Sequence, residues 1–173
     1  MIAMAEAMTE KGYVSTTVAD VLARAGVSRE TFYQQFSSKL DCFMHTFDAA
    51  AEILLAQVGD PAATDGSPYE RFEALFTRYI DTLVAEPAFA RLFLVEAYAA
   101  GPGAIERRMA LQSRITDTLV EILAVESDHG RFACQMLVAG VGAMVAVPLV
   151  NQDLEALRDL RAGVLDLVAR TLC

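Results

Sequence analysis

The residues best suited to chemistry in this chain lie together near its beginning. A seven-residue run, Arg29-Glu30-Thr31-Phe32-Tyr33-Gln34-Gln35, follows Gly26-Val27-Ser28. Read as a short helix opened by Ser28, it projects Arg29, Glu30, Thr31, Tyr33, Gln34 and Gln35 outward. Those side chains bond to base edges or to phosphates. Glu30 is the exception in this set. A carboxylate repels phosphate and accepts only from a cytosine amino group, so Glu30 either sets specificity or faces solvent.

The elements that would position these groups are legible around them. Gly12 ends a helix over residues 1–11. Thr17 caps a second helix, Val18–Ala25, with Asp20 at its third position. Gly26 stops that helix in a conformation that is cheap only for glycine. Ser28 caps a third helix, Arg29–Phe36, and Ser37-Ser38 opens a fourth from Lys39 to about Val58. Val18, Val21, Leu22, Ala25, Val27, Phe32 and Phe36 can close a small core. Two short helices across a tight glycine turn, with a third before them, form a helix-turn-helix arrangement.

The sequence from Glu10 to Phe43 resembles the DNA-binding domain of the TetR family of transcriptional regulators. The resemblance rests on Gly12-Tyr13, Thr16-Thr17-Val18, Ala25-Gly26-Val27-Ser28, Thr31-Phe32-Tyr33, Phe36 and Lys39. It is specific over residues 3–47. It implies that Thr17 presents its hydroxyl to a phosphate. Ser28, Arg29 and Thr31 would occupy the leading turn of the recognition helix, with Arg29 bidentate to a guanine. Tyr33 and Lys39 would bond phosphates, Gln34 would read a base, and Gln35 stands where a histidine is frequent. The sequence departs from the family pattern at its start: Met1 falls inside the expected first helix, so either the start is set late or the basic arm is absent.

Charge is uneven along the chain. Residues 1–47 hold four basic and five acidic groups, whereas the whole chain of 173 residues carries a net −9. A chain this acidic is no general polyanion binder, so DNA contact must come from a local patch. The 54% hydrophobic content excludes disorder as a whole-chain description. Cys42, Cys134 and Cys173 are widely spaced and odd in number, as expected of reduced thiols in the cytoplasm.

Beyond Phe47 the periodicity predicts further helices over 69–86, 88–100, 104–125, 129–151 and 153–172, after a loop at Gly59–Pro68. The expected architecture is all-α, with a three-helix helix-turn-helix domain at 1–47 and a helical ligand-binding and dimerisation bundle at 48–173. No catalytic set or cofactor motif stands out, and the chain is not expected to be an enzyme. His45, Cys42 and Asp48 share helical spacing, but a solvated face is the simpler reading than a metal site. Gly101-Pro102-Gly103 lacks the spacing of a phosphate loop.

A ligand cavity is expected from aromatic and polar residues on shared helix faces: Phe47, Ala51, Phe72, Phe76, Tyr79, Glu96, Gln112, Ser113, Thr116 and Gln135. Ordinary core packing is the competing reading for each. Glu96 could pair with a cationic ligand, Arg91 or Arg107, although a mostly apolar effector is preferred. Residues 132–152 carry no charge and are long enough to span a bilayer. Without basic flanks or interfacial aromatics, a buried helix of a soluble protein is the favoured reading. The last two helices suit dimerisation through Gly142, Ala146, Leu157, Leu160, Val164 and Val168. Together these features predict a ligand-responsive homodimer that binds a palindromic DNA operator as a repressor. The alternative is a soluble helical enzyme or carrier with a vestigial helix-turn-helix.

Overall fold

The computed structural model describes residues 1–58 and 65–172, and among these there is no strand. Ten α-helices follow in order: α1 (Ile2–Ser15), α2 (Val18–Ala25), α3 (Arg29–Gln35), α4 (Lys39–Val58), α5 (Pro68–Ala85), α6 (Pro87–Arg91), α7 (Ala97–Ala100), α8 (Pro102–Ile122), α9 (Asp128–Asn151) and α10 (Leu154–Thr171). A π-helical turn, Leu92–Glu96, joins α6 to α7. The all-α architecture expected from the sequence is observed. Most of the loop expected at Gly59–Pro68, and Cys173, lie outside the described residues.

The helix boundaries follow local chemistry. Thr17 and Asp20 form a reciprocal capping box at α2, and Ser67 with Glu70 forms another at α5. Gly26 terminates α2 at φ +66°, as the sequence predicts. The end of α1 differs from expectation. Gly12 does interrupt the helix, at φ +73°, but helical structure resumes and reaches Ser15. A short last turn therefore projects beyond the glycine, and other parts of the chain grip it.

The core runs unbroken from the first helix into the body. Met4, Ala5, Ala7 and Met8 of α1 are buried with Phe43 and Phe47 of α4, and the cluster continues through Phe72, Phe76, Ile80 and Leu92. Four buried side chains thus anchor α1. The three-helix head and the body share α4, which spans 20 residues or about 30 Å.

Two expectations about the last helices are corrected. Leu157, Val164 and Val168 are buried inside the chain, where α10 packs against α5 and α9. Leu160 and Ala146 are half-buried, and Gly142 lines an internal cavity. The apolar stripe of α10 therefore closes this chain's own core. Conversely, α9 is not a buried helix: only 22% of its most apolar 18-residue window is buried. Phe132, Met136, Met144, Val147 and Val150 stand exposed along one side, with Ala139, Gly140 and Ala143 between them. A helix apolar all round needs cover on two sides, and the chain supplies one.

Candidate functional site

The first candidate surface is the outer face of α3. Phe32 is buried and fixes the helix, while Ser28, Arg29, Glu30, Thr31, Tyr33, Gln34 and Gln35 are all exposed. Ser28 Oγ accepts the Thr31 backbone N–H at 3.1 Å and lies 2.9 Å from the Thr31 hydroxyl. Both hydroxyls thus sit together on the leading turn. The Arg29 guanidinium lies 5.9 Å from the centre of the Tyr33 ring. Among the described residues neither Arg29 nor Glu30 has an ion-pair partner, so both charges face outward.

Thr17 lies beside this face at the start of α2, but its hydroxyl donates to Asp20 Oδ2 at 2.7 Å. Lys11 completes this cluster with an ammonium 2.5 Å from Asp20 Oδ1. The Lys11 bond, followed by the Thr17 hydroxyl and backbone N–H, holds the Asp20 carboxyl well below the usual carboxylate range. It stays ionised, and a phosphate approaching Thr17 meets a carboxylate already neutralised by Lys11. The sequence reading missed Lys11, which lies nine residues from its partner.

Lys39 is placed differently from expectation. Its Nζ donates to the carbonyls of Tyr13 at 2.8 Å and Thr16 at 2.9 Å, and it sits 4.2 Å from the Tyr13 ring centre. Two of three ammonium donors therefore cap the final turn of α1, whose carbonyls have no helical partners. Replacing Lys39 by Met should lower stability by about 1.5–3 kcal/mol, the range for hydrogen bonds to charged groups. A thermal melt checks this, and a melt identical to the parent's would count against the inward role.

The same turn of α1 is held from the body. Glu96, at the end of the π turn, is 5% exposed. Its Oε2 accepts the Tyr13 backbone N–H at 2.7 Å, and its Oε1 lies 3.1 Å from Arg91 Nε. A Cβ on Gly12 would come within 3.5 Å of Glu96 Oε2, so the positive φ and the close carboxylate belong to one junction. Glu96 is therefore not in the cavity, and of the partners considered for it, Arg91 is the one observed. Arg107 pairs with Asp48 instead.

The second candidate site is a cavity of about 100 Å³ lined by α4, α5, the π turn, α8 and α9. Phe72, Phe76, Tyr79 and Gln112 line it as expected from the sequence. Phe47 and Ala51 do not: Phe47 packs in the core between Phe43 and Phe93, and α4 instead offers Leu54 and Leu55 to the cavity. Thr116 is buried outside it, with its hydroxyl bonded to the Gln112 carbonyl at 3.0 Å. Ser113 and Gln135 are exposed on the outer faces of α8 and α9. The misplacements on α8 and α9 share a cause. The faces of α8 and α9 that meet the cavity are one step around the helix from those inferred.

Arg108 is the cavity residue that sequence reasoning overlooked. It continues the stripe formed by Gln112, Ile115 and Leu119, so its spacing of four before Gln112 carried the signal. Its guanidinium lies 5.0 Å from the Tyr98 ring centre, and Nη1 reaches Gln112 Oε1 at 3.4 Å. Burial pushes the Tyr79 hydroxyl above its ordinary range, with Arg108 opposing the shift. Among the described residues no group of three or more metal-ligating side chains occurs.

Residues 3–45 match the family of bacterial regulatory proteins described as the tetR family. That match covers α1 to α3 and the start of α4.

Relatives extend the likeness into the body. The chain is 23% identical over 144 residues to the HTH-type transcriptional activator FasR of Mycolicibacterium smegmatis, covering 83% of this chain and 66% of FasR. It is 37% identical over 92 residues to the transcriptional regulator AcuR of Cereibacter sphaeroides, covering 52% of this chain and 41% of AcuR. The chain thus spans less than two thirds of the length of these curated relatives. In fold, it is similar to FadR from Bacillus subtilis, solved in complex with stearoyl-CoA. That likeness has a TM-score of 0.80 at 17% identity and covers 99% of this chain and 96% of FadR. Within the matched residues, α3 is the exposed helix of the helix-turn-helix, and Lys39 and Glu96 converge on α1 behind it.

Proposed function

We propose that this chain is a ligand-responsive homodimeric transcriptional regulator that binds a palindromic DNA operator and releases it when a mostly apolar small molecule fills the cavity. One observation carries the reading. The same helix, α4, begins beside the DNA-facing head at Lys39 and ends with Leu54 and Leu55 in the cavity wall. A lever of about 30 Å moves its far end when its near end shifts. Half-sites lie about one turn of DNA apart, roughly 34 Å, so a shift of a few ångström mismatches the grooves. The ligand acts only through its differential affinity for the two arrangements.

The TetR-family head supports DNA as the partner, and the apolar cavity supports an effector with a hydrocarbon body. The stearoyl-CoA bound by the FadR of similar fold points the same way. Thr17, Ser28, Arg29, Thr31, Tyr33, Gln34 and Gln35 are the proposed DNA contacts. Lys39 contributes its remaining donor and charge.

The homodimer is supported by the uncovered side of α9. Phe132 is 58% exposed and Val147 63% exposed, and the apolar row between them is continuous. A second copy across a two-fold axis would cover it, with α10 contributing Leu167 and Gly163. Because Phe132 and Val147 are exposed in the single chain, Phe132→Glu and Val147→Glu should leave its fold intact and give monomers in analytical ultracentrifugation. Dimers persisting in both variants would remove α9 from the interface.

Selection of DNA sites from random sequence tests the whole reading, and a palindrome with half-sites one turn apart is expected. Failure to enrich any site would favour the carrier or enzyme alternative. Repression is the proposed sign, although FasR bears the name of an activator. Transcription in vitro from a promoter bearing the selected site decides it: repressed output, restored by effector, is expected.

A further inference from the structure

The cavity wall is almost wholly aliphatic and aromatic, but its charge is not zero. Among the described residues the wall contains one arginine, Arg108, and no carboxylate. Six of the twelve arginines — Arg24, Arg91, Arg107, Arg131, Arg161 and Arg170 — have acidic partners. Arg108 has none, in a protein of net charge −9 with acidic groups in excess. Its Nε is buried and donates to no partner among the described residues. Its contacts are the Tyr98 ring face and a long bond to Gln112, both of which orient a guanidinium without neutralising it. Gly142 on α9 lies beside it: a Cβ there would be in ordinary van der Waals contact, 3.5 Å from Arg108 Nη2.

A half-buried guanidinium with a buried, unpartnered Nε and no counter-charge beside it carries a desolvation cost, and an anion brought by a ligand offsets that cost. We propose that the effector is an aliphatic anion, its hydrocarbon chain in the cavity and its negatively charged end held by Arg108 and Gln112. This rests on the reading of the cavity as the effector site and narrows it. Arg108 is the residue that distinguishes a charged chain end from a neutral one. Cationic effectors are disfavoured by the same charge, and Glu96, which could have received them, is occupied outside the cavity by Arg91 and Tyr13.

Isothermal titration calorimetry on the full chain tests this with decanoate, decanoyl-CoA and decanol, which share one hydrocarbon chain. At least one of the two anions should bind about tenfold or more tightly than decanol, the scale of a charge-assisted hydrogen bond. Tighter binding of decanoate places a carboxylate at Arg108, and tighter binding of decanoyl-CoA places its phosphates there. Arg108→Gln should abolish the preference for the anion while retaining decanol binding, and Arg108→Lys should keep part of it. If Arg108→Gln does not fold, the comparison of decanoate with decanol in the parent and in Arg108→Lys decides. Equal binding of decanol and both anions by the parent overturns the anion assignment while leaving an apolar effector standing. Absence of heat and of thermal stabilisation with all three overturns both. An anion that binds through Arg108 without changing operator affinity would instead uphold this inference and sink the proposed switch.

Discussion

Glu96→Ala is expected to lower thermal stability and to loosen the head from the body. The substitution leaves Arg91, whose side chain is 15% exposed, without its carboxylate, and it strips the Tyr13 N–H of its acceptor. Breaking one side of a buried pair typically costs about 3–5 kcal/mol. For a chain of this size each kcal/mol moves the melting temperature by roughly 2–4 °C, so a drop of roughly 6–20 °C is expected. The lower half of that range is favoured because Arg91 retains some contact with water. The same loss should speed hydrogen exchange at the Tyr13 amide. Glu96→Gln keeps an acceptor for that amide, so it should be milder in exchange than in melting.

A double variant separates stability from coupling. Glu96→Leu with Arg91→Met removes the buried pair together, which commonly restores most of the lost stability. The Tyr13 N–H would still lack its acceptor. In the double variant the α1 turn is held by Lys39 but not from the π turn, whose Phe93 and Leu94 line the cavity. The effector should then change operator affinity less than in the parent, although binding to the cavity is retained. A melting temperature within 2 °C of the parent for Glu96→Ala, with unchanged exchange at Tyr13, would show that this junction holds nothing.

Arg29→Ala should have the largest effect on DNA. Arg29 is exposed and unpaired among the described residues, and its nearest aromatic neighbour is Tyr33 on the same face. Removing it disturbs no core contact, so melting should be unaffected. A bidentate contact to guanine contributes about 1–3 kcal/mol of discrimination. The proposed homodimer would make that contact twice, which gives about 2–6 kcal/mol, or roughly 30-fold to 10⁴-fold in affinity. The loss should appear as relaxed preference at one base pair in each half-site. Tyr33→Phe should act differently, weakening all sequences alike, because phosphates carry no base identity. If Glu30 faces solvent, Glu30→Gln should tighten binding to every sequence modestly by removing a negative charge near the polyanion, and if it sets specificity, the change should fall at one base pair instead. Competition binding with single-base variants of the selected site measures all three. An unchanged base preference in Arg29→Ala would remove it from base reading.

The helix-turn-helix and most helix boundaries were legible in the order of residues alone. Those features are local: a glycine at positive φ, Ser and Thr caps, and apolar residues every three or four positions need only a few neighbours in the chain to act. Exposure of Arg29, Tyr33 and Gln34 also followed, since Phe32 and Phe36 fix the opposite side of the same short helix.

Tertiary structure alone decided which groups meet across long separations. Glu96 and Tyr13 lie 83 residues apart, and Lys39 reaches back 26 to the Tyr13 carbonyl. Nothing in the spacing of either residue distinguishes a surface charge from a cap on another helix. The two last helices show the same limit in apolar residues. Periodicity announces that α10 has an apolar stripe, but it cannot say whether that stripe meets its own chain or another copy. Packing against α5 assigned Leu157, Val164 and Val168 inward and left Phe132, Met136 and Val147 of α9 outward. The cavity follows from such assignments as well. A turn of one residue, about 100° around a helix, separates Arg108 from Arg107: the first lines the cavity and the second bonds Asp48 at the surface.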